Sequence, residues 1–310
     1  MNTQSKALHE SQVGSPAVAP AMAATKPLLW SIYREFWENR SIYLAPLGVA
    51  GVFLFGFLIS LPRLPKQVRA LSALDPARYR EAIAMPYDIA AGALMLTGII
   101  VSIFYCLDAL HGERRDRSIL FWKSLPVSDV TTVLAKASIP LILLPSVIFA
   151  VTFALHWIML LMSCAVLLGS GLSVGTFWAQ LGFFQMSYQL LYHLLTAHAL
   201  WPFPVYCWLL LVSGWARRAA LLWAVLPLVA IAAVESIAFR TAHFAALVGS
   251  RLIGNTPSIA YKPESMFPTG PMIHITPDKF LSSPGLWIGL LVGAAFLAAA
   301  VQIRRNRGPI

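Results

Sequence analysis

The chain has 310 residues, 58% of them hydrophobic and 12% charged, with a formal net charge of +10 and a mean hydropathy of +0.70. Soluble domains carry about twice that share of charged residues, so a soluble fold is excluded. The positive charge is then no nucleic-acid footprint. In a membrane chain, Arg and Lys collect in loops facing the cytoplasm and anionic lipid. Cys106, Cys164 and Cys207 are dispersed in apolar runs, without metal spacing or an evident disulfide pair, and read as packed thiols.

Residues 1–26 are polar and rich in Ala, Ser and Pro, with no apolar core of a signal peptide, which predicts a disordered cytoplasmic tail. In 27–40, PLLWSIYREFWENR, Leu29, Ile32, Tyr33, Phe36 and Trp37 recur at helical spacing, with Arg34, Glu35, Glu38 and Arg40 opposite. That pattern predicts an amphipathic helix lying on the membrane, with Thr25 as N-cap and Pro27 in its first turn. Apolar runs long enough to span the bilayer follow at about 41–61, 88–110, 138–162, 187–213, 219–239 and 285–303. They predict an all-α integral membrane domain, 41–303, with six transmembrane helices. The polar stretch 62–87 predicts a short helix, 66–84, interrupted at Pro76. GSGLSVG breaks the apolar sequence after Gly169, and Pro202 and Pro204 predict a kink. A polar segment, 240–284, contains the amphipathic piece 242–254, and a basic tail, 304–310, ends the sequence.

The N-terminal segment, 111–137, Arg217–Arg218 and the C-terminal tail together hold 14 basic residues and the intervening loops 9, with RLPKQVR just after the first span as the exception. That bias predicts cytoplasmic N and C termini. It also makes 111–137 a cytoplasmic loop between spans two and three.

Within this loop, Glu113–Arg114, Arg117–Ser118–Ile119–Leu120, Leu125–Pro126–Val127–Ser128 and then Lys136 form a recognisable series. It resembles a motif of type-2 ATP-binding cassette (ABC) transporter permeases: a charged start, a short helix, an LPVS-like stop and a lysine entering the third span. Where Arg117–Ser118 stands here, that family usually has Gly-Thr or Gly-Ser. The resemblance implies the type-2 ABC exporter fold and a coupling helix, 115–125, that docks on a separate ATPase. Glu113, Arg114, Arg117, Ile119, Phe121, Trp122 and Lys123 would form the ATPase contact. Large aromatics anchor interfaces and flanking charges steer association.

The same resemblance implies a homodimer or heterodimer of permeases with two ATPase subunits, in a bacterial inner membrane. An amphipathic, lipid or peptide-like substrate would move outward through a cavity lined by spans two and five. The chain itself would be non-catalytic and hold no cofactor, with Mg-ATP bound by the partner. The sequence contains no GxxxxGK[ST] loop and no HExxH. A membrane-embedded lipid-modifying enzyme and a non-transporting, ATPase-binding assembly or sensor subunit are the other readings.

Two acids fall within spans, where charge is costly and often functional. Asp108, near the inner end of span two, is within reach of Arg114 or Arg115, and its other reading is a place on the substrate pathway. Glu235, near the outer end of span five, either pairs with Arg240 or His243 or lines the substrate pathway. His193 and His198 are five residues apart, on different faces of an α-helix.

Overall fold

A computed structural model describes residues 26–71, 75–124, 127–253 and 277–306, and all regular structure among them is helical. The expected tail 1–25, Leu125–Pro126, most of the outer segment (254–276) and the last four residues lie outside the described residues. Helix α1 (Pro27–Glu38) leads to α2 (Ser41–Ser60), which continues through a 3-10 turn, Leu61–Arg63, into α3 (Leu64–Leu71). Helix α4 (Pro76–Asp108) is followed by two short helices, α5 (His111–Arg115) and α6 (Ile119–Ser124). Helix α7 (Asp129–Ser138) passes through a π-helical stretch, Ile139–Leu143, into α8 (Leu144–Gly169). After α9 (Val174–Leu181), α10 (Phe183–His193) runs through a second π-helical stretch, Leu194–Leu200, to α11 (Phe203–Trp215). Helices α12 (Ala220–Phe239), α13 (His243–Ile253), α14 (Pro277–Leu281) and α15 (Pro284–Asn306) complete the chain.

Five continuous rods, Ser41–Leu71, Pro76–Arg115, Asp129–Gly169, Ala220–Phe239 and Pro284–Asn306, are long and apolar enough to cross a membrane. The helices Val174–Leu200 and Phe203–Trp215, bent by 45° to each other, bring the number to six where the pair counts as one broken span. The bend falls at Trp201–Pro202, where Pro202 and Pro204 lack the N–H groups that would bond the preceding turn. The GSGLSVG break also follows the sequence: α8 ends at Gly169, Gly171 takes a positive φ of 70°, and the Ser173 side chain caps α9.

One local expectation is corrected. The helix expected over 66–84 is not one element. The first rod reaches Leu71, and a new helix opens at Pro76, with the Asp75 carboxylate accepting from the Ala77 N–H at 3.2 Å. At the first helical position a missing N–H costs nothing, so Pro76 starts the second rod rather than interrupting a helix.

Helix α4 is the axis of the bundle. Ala90, Ala91 and Leu94 are fully buried, and Gly98 lies against Ile148 of α8. Between helices in lipid there is little hydrophobic gain, so close van der Waals contact across small residues carries the packing. Five hydroxyl side chains inside the bundle bond within their own helices. Thr97, Thr152, Ser163, Ser187 and Thr196 each donate to the carbonyl four residues back. Helix α12 is the exception in packing, with only Ala220 and Ala224 buried.

Two faces of the bundle are defined by contacts between distant segments. One joins α1, α5, α6, the start of α7 and the end of α15, and is called the terminal face below. At the other, Arg69 of α3 donates to the Ser170 carbonyl, and Arg251 of α13 joins the starts of α11 and α15.

Candidate functional site

The terminal face is built around a buried cluster of charges. Glu35 of α1 and Lys136 of α7 have side chains only 1% and 3% exposed, and they pair at 2.8 Å. Lys136 also reaches Glu113 of α5 at 3.0 Å, so one ammonium bridges two carboxylates. Arg304, near the end of α15, pairs with the other oxygen of Glu113 and, through Nε, with Asp129 at 3.0 Å. Arg34 pairs with Glu35 and lies 3.5 Å from Glu113. The Tyr105 hydroxyl donates to Glu35 at 2.8 Å. Burial would raise the Glu35 pKa, but Lys136 and then Arg34 outweigh it and hold the carboxyl below its ordinary range. Glu38, at the edge of the cluster, is shifted upward, chiefly by burial.

The cluster explains the orientation of α1. Ser31 and Glu35 form its buried face, whereas Trp30, Tyr33 and Trp37 are well exposed. The aromatic side therefore points away from the protein, as an interfacial helix requires. The charged face expected to meet water instead turns inward, at Glu35, to the ions of α5, α7 and α15.

The segment 111–124 is clamped on one side and bare on the other. Ser213 Oγ of α11 accepts from the backbone N–H groups of Leu110 and His111, at 3.0 and 2.8 Å. Arg114 Nη1 donates to the Gly214 and Ala216 carbonyls at 2.7 and 3.2 Å, capping the C-terminal end of α11. Glu113 ties the segment to α7 and α15. The Arg34 guanidinium lies 3.9 Å above the Trp122 ring, tying α6 to α1. Ile119 is buried. Leu120 and Phe121, at 58% and 60% exposure, project from the opposite side, with Arg115, Arg117 and Lys123 exposed around them. Arg117 itself holds a left-handed φ of 59°, a conformation natural to glycine.

The residues expected to contact a partner therefore divide. Arg117, Phe121 and Lys123 are on the exposed side. Glu113, Arg114 and Ile119 face into the protein, and Trp122 is half-buried under Arg34. Sequence reasoning did not single out Glu35, Asp129 or Arg304 as site residues, and Lys136 entered only as part of the motif. The readable signal was Glu35 sharing a helix stripe with Ser31, on the side away from Trp30, Tyr33 and Trp37.

The two acids assigned to a pathway have local partners. Asp108 is 62% exposed and lies 3.7 Å from Arg115. Glu235 accepts from the Thr241 hydroxyl and from the backbone N–H groups of His243 and Phe244, each at 2.8 Å. It thus caps the start of α13, an N-terminal capping role filled from a neighbouring helix. The Gln189 carbonyl accepts from His193 Nδ1–H at 2.7 Å. The separation of the two histidines onto different faces does not hold, because Leu194–Leu200 is π-helical and i,i+5 residues align there. Among the described residues, no three His, Cys, Asp or Glu side chains gather as a metal site. Compared with known protein families, with characterised proteins and with solved structures, the chain finds no match.

Proposed function

We propose that this chain is the membrane-spanning permease subunit of an ATP-driven exporter of the type-2 ABC class. It works as a dimer with two ATPase subunits, with both termini in the cytoplasm of a bacterial cell. The observation that carries this reading is the two-sidedness of 111–124. A short segment outside the apolar core exposes Leu120 and Phe121 to a partner while its other side is bolted to α1, α7, α11 and α15. Such a segment transmits force: a push on α6 reaches three membrane rods through ion pairs and backbone hydrogen bonds rather than through a slack loop. The left-handed backbone at Arg117, where the family has glycine, also supports the resemblance.

On this reading the ATPase contact consists of Leu120 and Phe121 with Arg115, Arg117 and Lys123 around them. Glu113, Arg114 and Trp122 act behind it, as transmission. The test is purification of the full chain from native membranes in mild detergent. The wild type is expected to retain a subunit that hydrolyses ATP. Truncating an exposed anchor pair at an interface typically costs about 2 kcal/mol or more, so Leu120→Ala with Phe121→Ala should lose that subunit while the chain still inserts. Full retention of ATPase activity by the double variant would overturn the assignment.

A further inference from the structure

At the face opposite the charge cluster, α11, α12, α13 and α15 enclose a cavity of about 360 Å³. Its wall is apolar, with Trp208, Pro227, Leu247, Val292 and Phe296 among the lining side chains, and Arg251 is the single charged residue among the described lining residues. Ligand pockets of this size and character, largely apolar with one placed polar group, are the usual form of a small-molecule site.

Arg251 is only 7% exposed. Its Nη1 donates to the Trp201 carbonyl at 2.8 Å, its Nη2 to the Gly285 carbonyl, and its guanidinium stacks 4.0 Å over the Trp201 ring. Gly289 leaves the room it needs, since a Cβ there would come within 2.6 Å of Nη1. None of the ion pairs among the described residues includes Arg251. Two carbonyls therefore take up two of its five N–H donors, and among the described residues this buried cation meets no anion, a costly arrangement unless one arrives.

The position says what kind of anion. Arg251 and Trp201 sit beside the first turns of α15, the level at which Trp and Arg meet lipid headgroups. From Gly285 to Phe296 the helix descends about 16 Å, roughly half of the ~30 Å hydrocarbon thickness. The cavity is thus one leaflet deep, with its cation at the headgroup end. Helix α12, with so few buried residues, gives it a lipid-facing wall.

We propose that this cavity holds one acyl chain of an anionic membrane lipid, with the phosphate of its headgroup on Arg251. The site is independent of the ATPase contact, and its test reads lipid retention rather than transport. The full-length protein, delipidated in detergent, is offered phosphatidylglycerol and phosphatidylcholine with matched acyl chains, and bound lipid is counted by native mass spectrometry. Both lipids carry a phosphodiester for Arg251 to bind; in phosphatidylcholine the choline cation offsets that charge and repels the guanidinium, whereas phosphatidylglycerol keeps its net negative charge. The wild type should therefore keep one phosphatidylglycerol per chain in preference to phosphatidylcholine. Val292→Trp, which fills the cavity away from Arg251, should lose that lipid. Arg251→Gln should bring the two lipids level. Excess inorganic phosphate should not displace the bound lipid, because the chain contributes most of the contact. Equal retention of both lipids by the wild type, unchanged phosphatidylglycerol on Val292→Trp, or displacement by phosphate alone would each overturn the proposal. If Arg251→Gln does not fold, the wild-type preference and Val292→Trp still decide.

Discussion

The two ends of the bundle handle buried cations in opposite ways. At the terminal face, Lys136 and Arg304 are surrounded by Glu35, Glu113 and Asp129, and each carboxylate meets at least one cation. At the other face, Arg251 meets carbonyl oxygens and an aromatic ring beside an open apolar space. The first arrangement is saturated. Its cations all face carboxylates, and removing one member strands another charge. The second is unsaturated and stands next to room for a ligand. Charge saturation therefore separates a joint that transmits movement from a site that receives a molecule.

The largest expected effect comes from breaking the saturated joint. Lys136→Met would leave the Glu35 and Glu113 carboxylates buried without their shared cation. Losing one partner of a buried pair costs about 3–5 kcal/mol. Arg251→Met removes a cation that has no carboxylate partner among the described residues, so its cost should be that of lost hydrogen bonds, about 1–3 kcal/mol. Thermal unfolding of both variants in the same detergent checks the order, and equal losses would erase the distinction.

Acid should separate the two joints next. The Glu35 pKa is held below its ordinary value of 4.5, so its ionised form stabilises the fold above that pH. The contribution is lost as pH falls through the lower, folded value. Docking of α1 should therefore be flat from about pH 5 to 8 and weaken in more acid solution. Protease access to α1 measures this. The joint at Arg251 contains no carboxylate among its described contacts and should not follow the same curve.

The smallest effect concerns the exposed side of the transmitting segment. A non-glycine residue in the left-handed region costs about 1 kcal/mol, and Arg117 is exposed at a φ of 59°. Arg117→Gly should relieve that strain and raise stability by up to about 1 kcal/mol, partly offset by the freedom glycine gains when unfolded. A fall in melting temperature would mean that the Arg117 side chain holds the turn.

Much of the architecture was legible because it is written locally. Apolar length marks the spans, Pro202 and Pro204 mark the bend, and Ser173 after Gly171 marks the break between rods. Pro76 was misread because proline has two meanings, helix breaker and helix starter, and only the capping Asp75 decides between them. The charge cluster was harder to read. Periodicity tells which face of α1 is apolar, but not that Glu35 will meet Lys136, 101 positions away. For Glu235 the depth in the span was readable, but the backbone turn that returns the start of α13 to it was not. The histidine faces were misassigned because a π-helical register changes the period without a change in composition.

The claim on which the rest depends is that Glu113 carries movement of 111–124 into the membrane rods. The direct measurement uses spin labels at positions 173 and 282, on the face away from the cluster, in the full chain with its ATPase bound and the native cysteines replaced. Their separation is compared with and without ATP. The wild type should change distance on nucleotide binding. Glu113→Gln, which keeps Leu120 and Phe121 exposed, should retain the ATPase yet show no ATP-dependent change. A Glu113→Gln protein that binds the ATPase and moves as the wild type does would contradict the account.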